Sequence, residues 1–465
     1  MLLGPTIFLC CVFFLPGDSF PDLAARMAVG TVSWMAYWWI TAPIDYAITA
    51  FLPIAVNALV SIVPMSKIIA NYASETIILL LSASILVVSW EESKLDKRIA
   101  VRCLAFIGPS ITSQIVFWFL FSAVLSALLP NAVVCSVITP IAVSMLRHVG
   151  EGDIEMSDIG SIILMTIAWG AGIGGIATPL GGAMNLVIIE YLEKLTGREY
   201  MYVDWLVRLA PITLALAVVT LMYLLAVKPE GRSMNGTRDY FKDLYSKLPP
   251  MDKAELISLA LFVVATVLAF TRQIYAHLLP DLKPAYVFVT CAILSFMITT
   301  SEGERLMKWK STQTKVSWGL IYVFAGGLAA GTIINDSGAA SSIGNMVTKF
   351  GLVGGLETIF AIIAMTLLLS DITSNTAAAA VAVPLVITII QGMGLDPVPY
   401  IYVATIGINV SFMLPTSIRA IPVGYGLSPG YMFKRGLLLT IITIFVMSVM
   451  SYLLLEFWPV FRAVR

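Results

Sequence analysis

Apolar runs of about 20 residues recur along almost the whole chain, and they constrain its fold more than any other feature. As a helix, a run of that length crosses the roughly 30 Å of hydrocarbon in a bilayer. The composition agrees, because only 12% of the residues are charged and the mean hydropathy is +0.91. The longest polar stretch, residues 228–253, is too short for a soluble domain. The sequence therefore predicts an all-α membrane protein that crosses the bilayer many times.

Eleven spanning segments can be placed from these runs. They are residues 2–17, 25–42, 44–63, 75–90, 159–195 (interrupted), 206–228, 254–276, 283–300, 316–335, 400–427 (interrupted) and 431–457. The first run lacks the basic region and the cleavage site of a signal peptide, so residues 1–24 are interpreted as an extra N-terminal helix.

Two further apolar stretches, 103–148 and 354–390, are too long for one span. Each has a polar interruption near its middle, at Pro130-Asn131-Ala132 and at Ser374-Asn375-Thr376. Non-helical backbone at membrane depth survives only where protein or a water-filled cavity satisfies its N–H and C=O groups. We therefore expect two re-entrant hairpins whose tips meet inside the protein.

The two hairpins share a spacing that indicates an internal repeat. Pro140 lies nine positions after Asn131, and Pro384 lies nine positions after Asn375. Each hairpin also precedes a span broken by Gly or Pro, and an odd number of spans between the halves makes the repeats inverted. Paired, interrupted segments in inverted halves point to a transporter's binding site near the bilayer midplane.

This spacing divides the chain into two repeats joined by a linker. We expect a first repeat over residues 25–228, a cytoplasmic linker over 229–253 and a second repeat over 254–465. The first repeat contains the hairpin at about 103–148, and the second contains the hairpin at about 354–390.

The positions of Lys and Arg predict the orientation. With the N-terminus in the cytoplasm, the cytoplasmic segments are 91–102, 147–153, 228–253, 301–315 and 428–436. They hold 17 of the 28 basic residues, which is the excess that the positive-inside rule requires. We expect a multi-pass protein of the inner (cytoplasmic) membrane with a cytoplasmic N-terminus.

Composition also argues against other classes of function. The formal net charge is zero, which leaves no electrostatic footprint for nucleic acid. The five cysteines and two histidines show neither a metal-site spacing nor a disulfide framework.

The second hairpin tip, Thr373-Ser374-Asn375-Thr376, is rich in polar side chains. N–H groups at the start of the following helix favour a carboxylate, while the oxygens of the tip could instead hold a hard cation such as sodium. The hydroxyls could also bond back to their own helix. Because the cluster interrupts an apolar run and is mirrored by Asn131, we interpret it as a binding site.

Glycines dominate the first broken span. Residues 170–175 are as consistent with close helix packing as with function. For the segment from Thr178 to Asn185, which includes Gly181, the span is expected to unwind and a binding role is favoured.

Arg419 lies between apolar runs, in Pro415-Thr416-Ser417-Ile418-Arg419. A cation there is costly and usually pairs or faces a cavity, and its planar fork suits a carboxylate. The structural alternatives are an ion pair with Asp371 or Asp336, or snorkelling to an interface.

At these residues the chain resembles the divalent-anion/sodium symporter family of di- and tricarboxylate carriers. The likeness covers nearly the whole length and rests on several short segments in order. These are Trp34–Thr41, Ala50–Pro53, Lys97–Ala100, the break at 170–185, Gly326–Ala330, Ser374–Thr376 and Phe412–Pro415.

The resemblance implies a homodimer in which a mobile transport domain moves against a scaffold domain like an elevator. It implies that two Ser-Asn-Thr tips bind the substrate carboxylates and help to enclose sodium. Substrate contacts carried over by position are Asn131, Thr178, Gly181, Ser374, Asn375, Thr376 and Ser417, to which our own argument adds Arg419. The sodium ligands of a coupled carrier would be Asn131, Gly181, Thr373, Asn375 and Ser417.

The chain departs from the family pattern at two places. The first tip, Pro130-Asn131-Ala132, lacks both hydroxyls, and residues 418–421 read Ile-Arg-Ala-Ile where the family has Thr-Pro-Pro-Asn. Both changes fall where sodium and carboxylate would be held, so we expect sodium-independent exchange.

The sequence thus predicts a secondary transporter of C4 and C5 dicarboxylates such as succinate, malate, fumarate or 2-oxoglutarate. No cofactor is expected, apart from sodium if the carrier is coupled, and the expected partners are the substrate, membrane lipid and a second copy of the chain. The alternatives are a sodium-coupled symporter, an anion channel and an intramembrane enzyme. A channel would show carbonyl or acidic rings, and an enzyme would show Ser/His or paired Asp residues at the broken elements.

Overall fold

The computed structural model describes residues 2–104, 106–151, 153–229, 234–300, 303–347 and 354–462, and these parts fold into helices joined by turns. Met1 of the predicted N-terminal helix lies outside the described residues, as do residues 105, 152, 230–233, 301–302, 348–353 and 463–465 of the predicted first hairpin, loops, linker and second repeat.

The helices that precede or lie in the predicted linker are α1 (Leu3–Phe14), α2 (Leu23–Thr41), α3 (Tyr46–Thr49), α4 (Leu52–Val60), α5 (Met65–Ala70), α6 (Glu75–Ser93), α7 (Leu95–Leu104), α8 (Ile111–Leu128), α9 (Asn131–His148), α10 (Asp158–Gly174), α11 (Ala183–Thr196), α12 (Tyr202–Ala226) and α13 (Thr237–Ser246). A 3₁₀ turn, Asn71–Ala73, connects α5 to α6.

The helices after the linker are α14 (Lys253–Phe270), α15 (Arg272–Tyr275), α16 (Pro284–Ser295), α17 (Trp309–Lys315), α18 (Trp318–Asp336), α19 (Ala339–Val347), α20 (Leu356–Ile372), α21 (Asn375–Gly392), α22 (Pro397–Asn409), α23 (Ala420–Gly424), α24 (Pro429–Phe457) and α25 (Pro459–Arg462). A 3₁₀ turn, Ser417–Arg419, precedes α23.

Eight helical segments in the described part of the chain are long and apolar enough to cross a membrane. Five match predicted spans: Met65–Ser93, Tyr202–Ala226, Lys253–Phe270, Trp318–Asp336 and Pro429–Phe457. The other three, Ile111–Leu128, Asn131–His148 and Asn375–Gly392, are arms of the two predicted hairpins. The all-α membrane fold is confirmed, and the count of eleven spans stays a prediction.

Both predicted hairpins form two antiparallel helical arms with a short tip. In the first, α8 and α9 are joined by Leu129 and Pro130, and in the second, α20 and α21 are joined by Thr373 and Ser374. The first hairpin begins at Ile111 rather than at 103, because residues 95–104 form the separate charged helix α7. Its depth relative to the bilayer stays a prediction.

The two broken spans lie at the centre of the molecule. Every residue of α10 after its first is buried, and α22 is buried from its second residue to its end. In each half the first hairpin arm packs along the broken span, α8 against α10 and α20 against α22. A Cβ at Gly174 would clash with the Ala123 backbone, and one at Gly407 would clash with Leu367. These glycines therefore serve close helix packing.

The segments predicted to be cytoplasmic lie together at one end of the structure. Arg98 forms an ion pair with Glu255 at 2.6 Å, which joins the segment after α6 to the start of α14. Lys315 reaches Glu91 at 3.1 Å, and Tyr240 of the linker contacts Ser144 at 2.6 Å between the hydroxyl oxygens. A shared end is what the predicted topology requires.

If that end is cytoplasmic, cysteines placed at Lys97, Lys242, Lys310 and Lys434 will react with an impermeant maleimide only after the cells are permeabilised. The measurement uses a background without the five native cysteines. Lys283→Cys, at the opposite end, is the positive control and should label in intact cells. Labelling of Lys242→Cys in intact cells would show that the predicted topology is inverted.

Candidate functional site

The first hairpin tip is bonded to the break between α10 and α11. The Asn131 backbone N–H donates to the Gly181 carbonyl oxygen at 3.0 Å. The Thr178 hydroxyl donates to the Ala127 carbonyl at 2.6 Å and accepts the Gly181 N–H at 3.2 Å. The first tip and the unwound segment between α10 and α11 therefore form one unit, and the binding role predicted for Thr178 and Gly181 stays a prediction.

Gly181 has no room for a side chain. A Cβ there would meet the Ser126 carbonyl oxygen at less than van der Waals distance and would lie 2.8 Å from the Gly175 oxygen. Gly181 thus allows the tip of the first hairpin to approach the broken span closely.

Gly181→Ala should lower the stability of the protein by about 1–3 kcal/mol, because overpacking forces backbone shifts. The measurement is the apparent melting temperature in detergent. Gly424→Ala is the matched control, since a Cβ at Gly424 would meet no atom within 4 Å. Equal melting temperatures for the two variants would contradict the close approach.

The second hairpin tip is bonded to the segment after α22. The Asn375 side chain donates from Nδ2 to the Asn409 carbonyl at 2.8 Å, and its Oδ1 accepts from the Ser370 and Ser411 hydroxyls at 3.2 Å each. The Ser374 hydroxyl accepts the Ala377 N–H and so caps α21. Most of the hydrogen-bonding capacity of Asn375 is therefore used within the protein.

An asparagine pair connects the two broken spans. Asn409 Nδ2 donates to Asn185 Oδ1 at 3.0 Å, across 224 positions of sequence. Asn185 Nδ2 in turn donates to the carbonyl oxygens of Gly175 and Thr178, at 2.7 and 2.8 Å. Sequence reasoning noted Asn185 only as the end of a motif and missed Asn409, although each lies beside the break of its own span.

Arg419 occupies the space between the two hairpins and is only 1% exposed. Its Nε donates to the Leu414 carbonyl at 3.0 Å, and its Nη2 donates to the Thr416 hydroxyl at 2.9 Å. Its electrostatic neighbours are Asp371 at the end of α20 and Cys135 on α9. Among the described residues no carboxylate forms an ion pair with it. Neither snorkelling nor a direct ion pair therefore accounts for this arginine, and Asp336 pairs with Lys67 instead.

Three buried polar atoms near this point have no hydrogen-bond partner among the described residues. They are Asn131 Nδ2, Asp371 Oδ2 and Asn409 Oδ1. Buried polar atoms are usually paired, so a cluster of unpaired ones at a helix break is typical of a ligand site. The cluster offers one donor and two acceptors.

The remaining predicted site residues surround the same region. The Thr373 hydroxyl donates to the Leu369 carbonyl at 2.7 Å, so it bonds back to its own helix. Thr376 is buried in the first turn of α21. Ser417 has φ of +52°, a left-handed conformation that is uncommon for serine and is often found at functional sites.

The electrostatics of the site favour an anion. The helices α9 and α21 both begin here, and helix N-termini carry positive partial charge. Arg419 adds a full positive charge, against the single carboxylate of Asp371. In the described part of the chain no group of three or more His, Cys, Asp or Glu residues could hold a metal ion.

A cavity of about 840 Å³ leads to the first tip. It runs from Glu91, Lys97 and Lys315, at the end predicted to be cytoplasmic, to Pro130 and Leu180 beside the tip. Its walls come from α6, α9, α14 and α16, and they are mostly apolar.

Two helical hairpins that meet broken spans around buried polar groups define a multi-pass membrane carrier. The chain belongs to the citrate transporter family (CitMHS), whose family model matches residues 36–407. This confirms the resemblance inferred from the sequence, and it identifies the protein as a transporter rather than an enzyme.

Relatives of the chain are named for a function in keeping with the family. The chain is 25% identical to the sodium-dependent dicarboxylate transporter SdcS of Staphylococcus saprophyticus, with 98% of this chain and 90% of the relative covered. It is also 25% identical to SdcS of Staphylococcus aureus, with 89% and 82% covered.

Solved structures share the fold at low sequence identity. The Alcanivorax borkumensis YdaH transporter superposes with a TM-score of 0.56 at 10% identity, covering 85% of this chain and 88% of that one. Neisseria gonorrhoeae MtrF superposes with a TM-score of 0.54 at 13% identity, covering 97% of each chain.

Proposed function

We propose that this carrier binds C4 and C5 dicarboxylates between its two hairpin tips and moves them across the cytoplasmic membrane. The observation that carries the proposal is the buried Arg419, which has no ion-pair partner in the described part of the chain and lies beside both hairpins. A buried unpaired cation is strongly unfavourable unless a ligand supplies the opposite charge.

A dicarboxylate suits the spacing of the donors. The guanidinium fork can hold one carboxylate through two parallel hydrogen bonds. The unpaired Nδ2 of Asn131 is a donor for the second carboxylate, and the N-terminal ends of α9 and α21 add positive partial charge. Ser374, Thr376 and Ser417, which the family resemblance implies as substrate contacts, are the further residues that we propose for this site. The SdcS relatives, named as dicarboxylate transporters, agree with this class of substrate.

The shape of the protein supports alternating access by an elevator movement. The cavity leads from one end of the protein to the first hairpin tip. Its wall is formed partly by the first hairpin and partly by α6, α14 and α16. Towards the opposite end, α11 is tied to the rest of the protein. Lys194 donates to Asn71 at 3.3 Å, and Tyr191 donates to the Gly327 carbonyl at 3.2 Å. In this proposal the hairpins and broken spans move together against a scaffold, and the two inverted repeats assemble in a homodimer.

The proposed coupling is exchange of one dicarboxylate for another. In this structure Arg419 and Asp371 are both buried, without a direct ion pair between them. Moving an unpaired charge through the bilayer costs at least about 2.5–3.5 kcal/mol on the insertion scale. A substrate carboxylate on the Arg419 guanidinium supplies the ion pair that Asp371 does not form, so the carrier should return more readily with a substrate bound than without one.

Sodium symport is the second candidate, and the relatives' names favour it. Both SdcS proteins are named as sodium-dependent. Against it, the first tip has Ala132 in place of a hydroxyl, and the Gly181 carbonyl already accepts the Asn131 N–H. An anion channel is disfavoured, since the site is buried among interrupted helices instead of lining an open pore.

The test is uptake of labelled succinate into proteoliposomes that are either empty or preloaded with unlabelled succinate, with potassium replacing sodium throughout. We expect strong uptake only into preloaded vesicles. In a parallel assay with an inward sodium gradient, strong uptake into empty vesicles would show symport in place of exchange. The absence of any saturable dicarboxylate uptake, with or without sodium, would overturn the proposed function.

A further inference from the structure

Asp371 is a fully buried carboxylate, at 0% exposure, in which only one oxygen is hydrogen-bonded within the described part of the chain. Its Oδ1 accepts the backbone N–H groups of Met413 and Leu414, at 2.9 and 3.4 Å. Its Oδ2 is the unpaired acceptor noted above. The carboxylate is therefore fixed by one oxygen and presents the other to whatever shares its surroundings.

A short relay connects Asp371 to the arginine that we assign to the substrate. The Thr416 hydroxyl donates to the backbone carbonyl of Asp371 at 3.0 Å and accepts from Arg419 Nη2 at 2.9 Å. The relay ends on the backbone of Asp371, and the Asp371 carboxylate is itself an electrostatic neighbour of the guanidinium, without an ion pair between them. A substrate whose carboxylate binds the Arg419 fork would therefore have this acidic side chain as a neighbour.

An ionised carboxylate oxygen only accepts hydrogen bonds. Leaving it buried and unpaired is costly, so the group that fills the space should be a donor. A dianion such as succinate has no donor, and a 2-oxo acid adds one more acceptor. A hydroxyl on the carbon next to a carboxylate supplies the missing donor at the right place in the molecule.

We propose that Asp371 is a specificity-determining residue that selects 2-hydroxy dicarboxylates over 2-oxo dicarboxylates and over dicarboxylates without a substituent. The hydroxyl donates to Asp371 Oδ2 while the neighbouring carboxylate binds Arg419. This inference rests on the proposed function, because it assumes that Arg419 holds a substrate carboxylate.

The experiment measures how well 2-hydroxyglutarate and 2-oxoglutarate compete with labelled succinate for exchange by the wild-type carrier in sodium-free proteoliposomes. The two competitors have the same length and charge. They differ only at carbon 2, where one has a hydroxyl that can donate a hydrogen bond and the other has an oxo group that can only accept one. A hydrogen bond to a charged group is typically worth about 10- to 100-fold in affinity. We expect the better enantiomer of 2-hydroxyglutarate to compete that much more strongly.

Asp371→Asn should invert this preference. The amide oxygen can keep the bonds to the Met413 and Leu414 N–H groups, which places an N–H donor where Oδ2 was. That donor favours the oxo group of 2-oxoglutarate. Asp336→Asn is the matched control, since Asp336 pairs with Lys67 at the far end of the protein. It should keep the wild-type preference.

Equal competition by the two compounds in the wild type would overturn the inference, even if Asp371→Asn failed to fold. An unchanged preference in a folded Asp371→Asn carrier would overturn it as well. Failure of the proposed function is distinguishable, because then labelled succinate itself would not exchange in the wild type.

Discussion

Arg419→Gln should lower dicarboxylate affinity by at least about 30-fold, which corresponds to about 2 kcal/mol, the lower end of the 2–5 kcal/mol usual for breaking a buried charge pair. The expected loss is large because the guanidinium is the full positive charge that the structure places beside both hairpins. The measurement is succinate binding to the purified protein by calorimetry. Arg435→Gln on α24 is the control, because Arg435 stacks on Tyr431 away from the site.

The same variant separates a ligand-binding arginine from a structural one. Burying a cation without an ion pair is unfavourable, and this cost offsets the two hydrogen bonds that Arg419 donates, so Arg419→Gln should melt within a few degrees of the wild type. Arg419→Lys should recover only part of the affinity, since an ammonium group lacks the planar fork. A marked loss of melting temperature with unchanged succinate affinity would make Arg419 a structural residue.

Asn131→Ala and Asn375→Ala should both weaken succinate binding by about 10- to 100-fold, because each removes an amide from a hairpin tip that meets a charged ligand. Their effects on stability should differ. Asn131 Nδ2 has no partner among the described residues, whereas the Asn375 side chain bonds Ser370, Asn409 and Ser411. Only Asn375→Ala should lower the melting temperature. The expected loss in the free energy of unfolding is about 0.5–1.5 kcal/mol for each hydrogen bond removed.

The measurements for this pair are succinate titration and thermal unfolding on the same preparations. Asn335→Ala, at the exposed end of α18, controls for the substitution itself. Wild-type affinity in both tip variants would mean that the tips are structural, and the proposed site would then be wrong.

Sequence reasoning identified the elements of the proposed site because each disturbs a strong local pattern. The tips interrupt long apolar runs, and in the structure Asn131 and Asn375 are the first residues of the second helical arms. Arg419 was conspicuous as a cation in an apolar segment, and it is buried. The first hairpin begins later than predicted because Cys103 and Leu104, which continue the apolar run in sequence, belong to α7.

The contacts between elements could not be predicted in the same way. Asn409 follows a run of apolar residues, and its side chain has a hydrogen-bond partner 224 positions away in sequence, at Asn185. Likewise, the use of the Asn375 amide within the protein depends on Ser370 and Ser411 from two different elements. Such pairings depend on how the hairpins pack against the broken spans, and one sequence has no periodicity that reports it.

The most direct test of the central claim is a cryo-electron microscopy map of the protein in lipid nanodiscs with saturating succinate. The account predicts ligand density between the two hairpin tips, with one carboxylate on the Arg419 guanidinium and the other near the Asn131 side chain. Succinate bound elsewhere, or an empty space beside Arg419 under conditions in which succinate exchange proceeds, would contradict it.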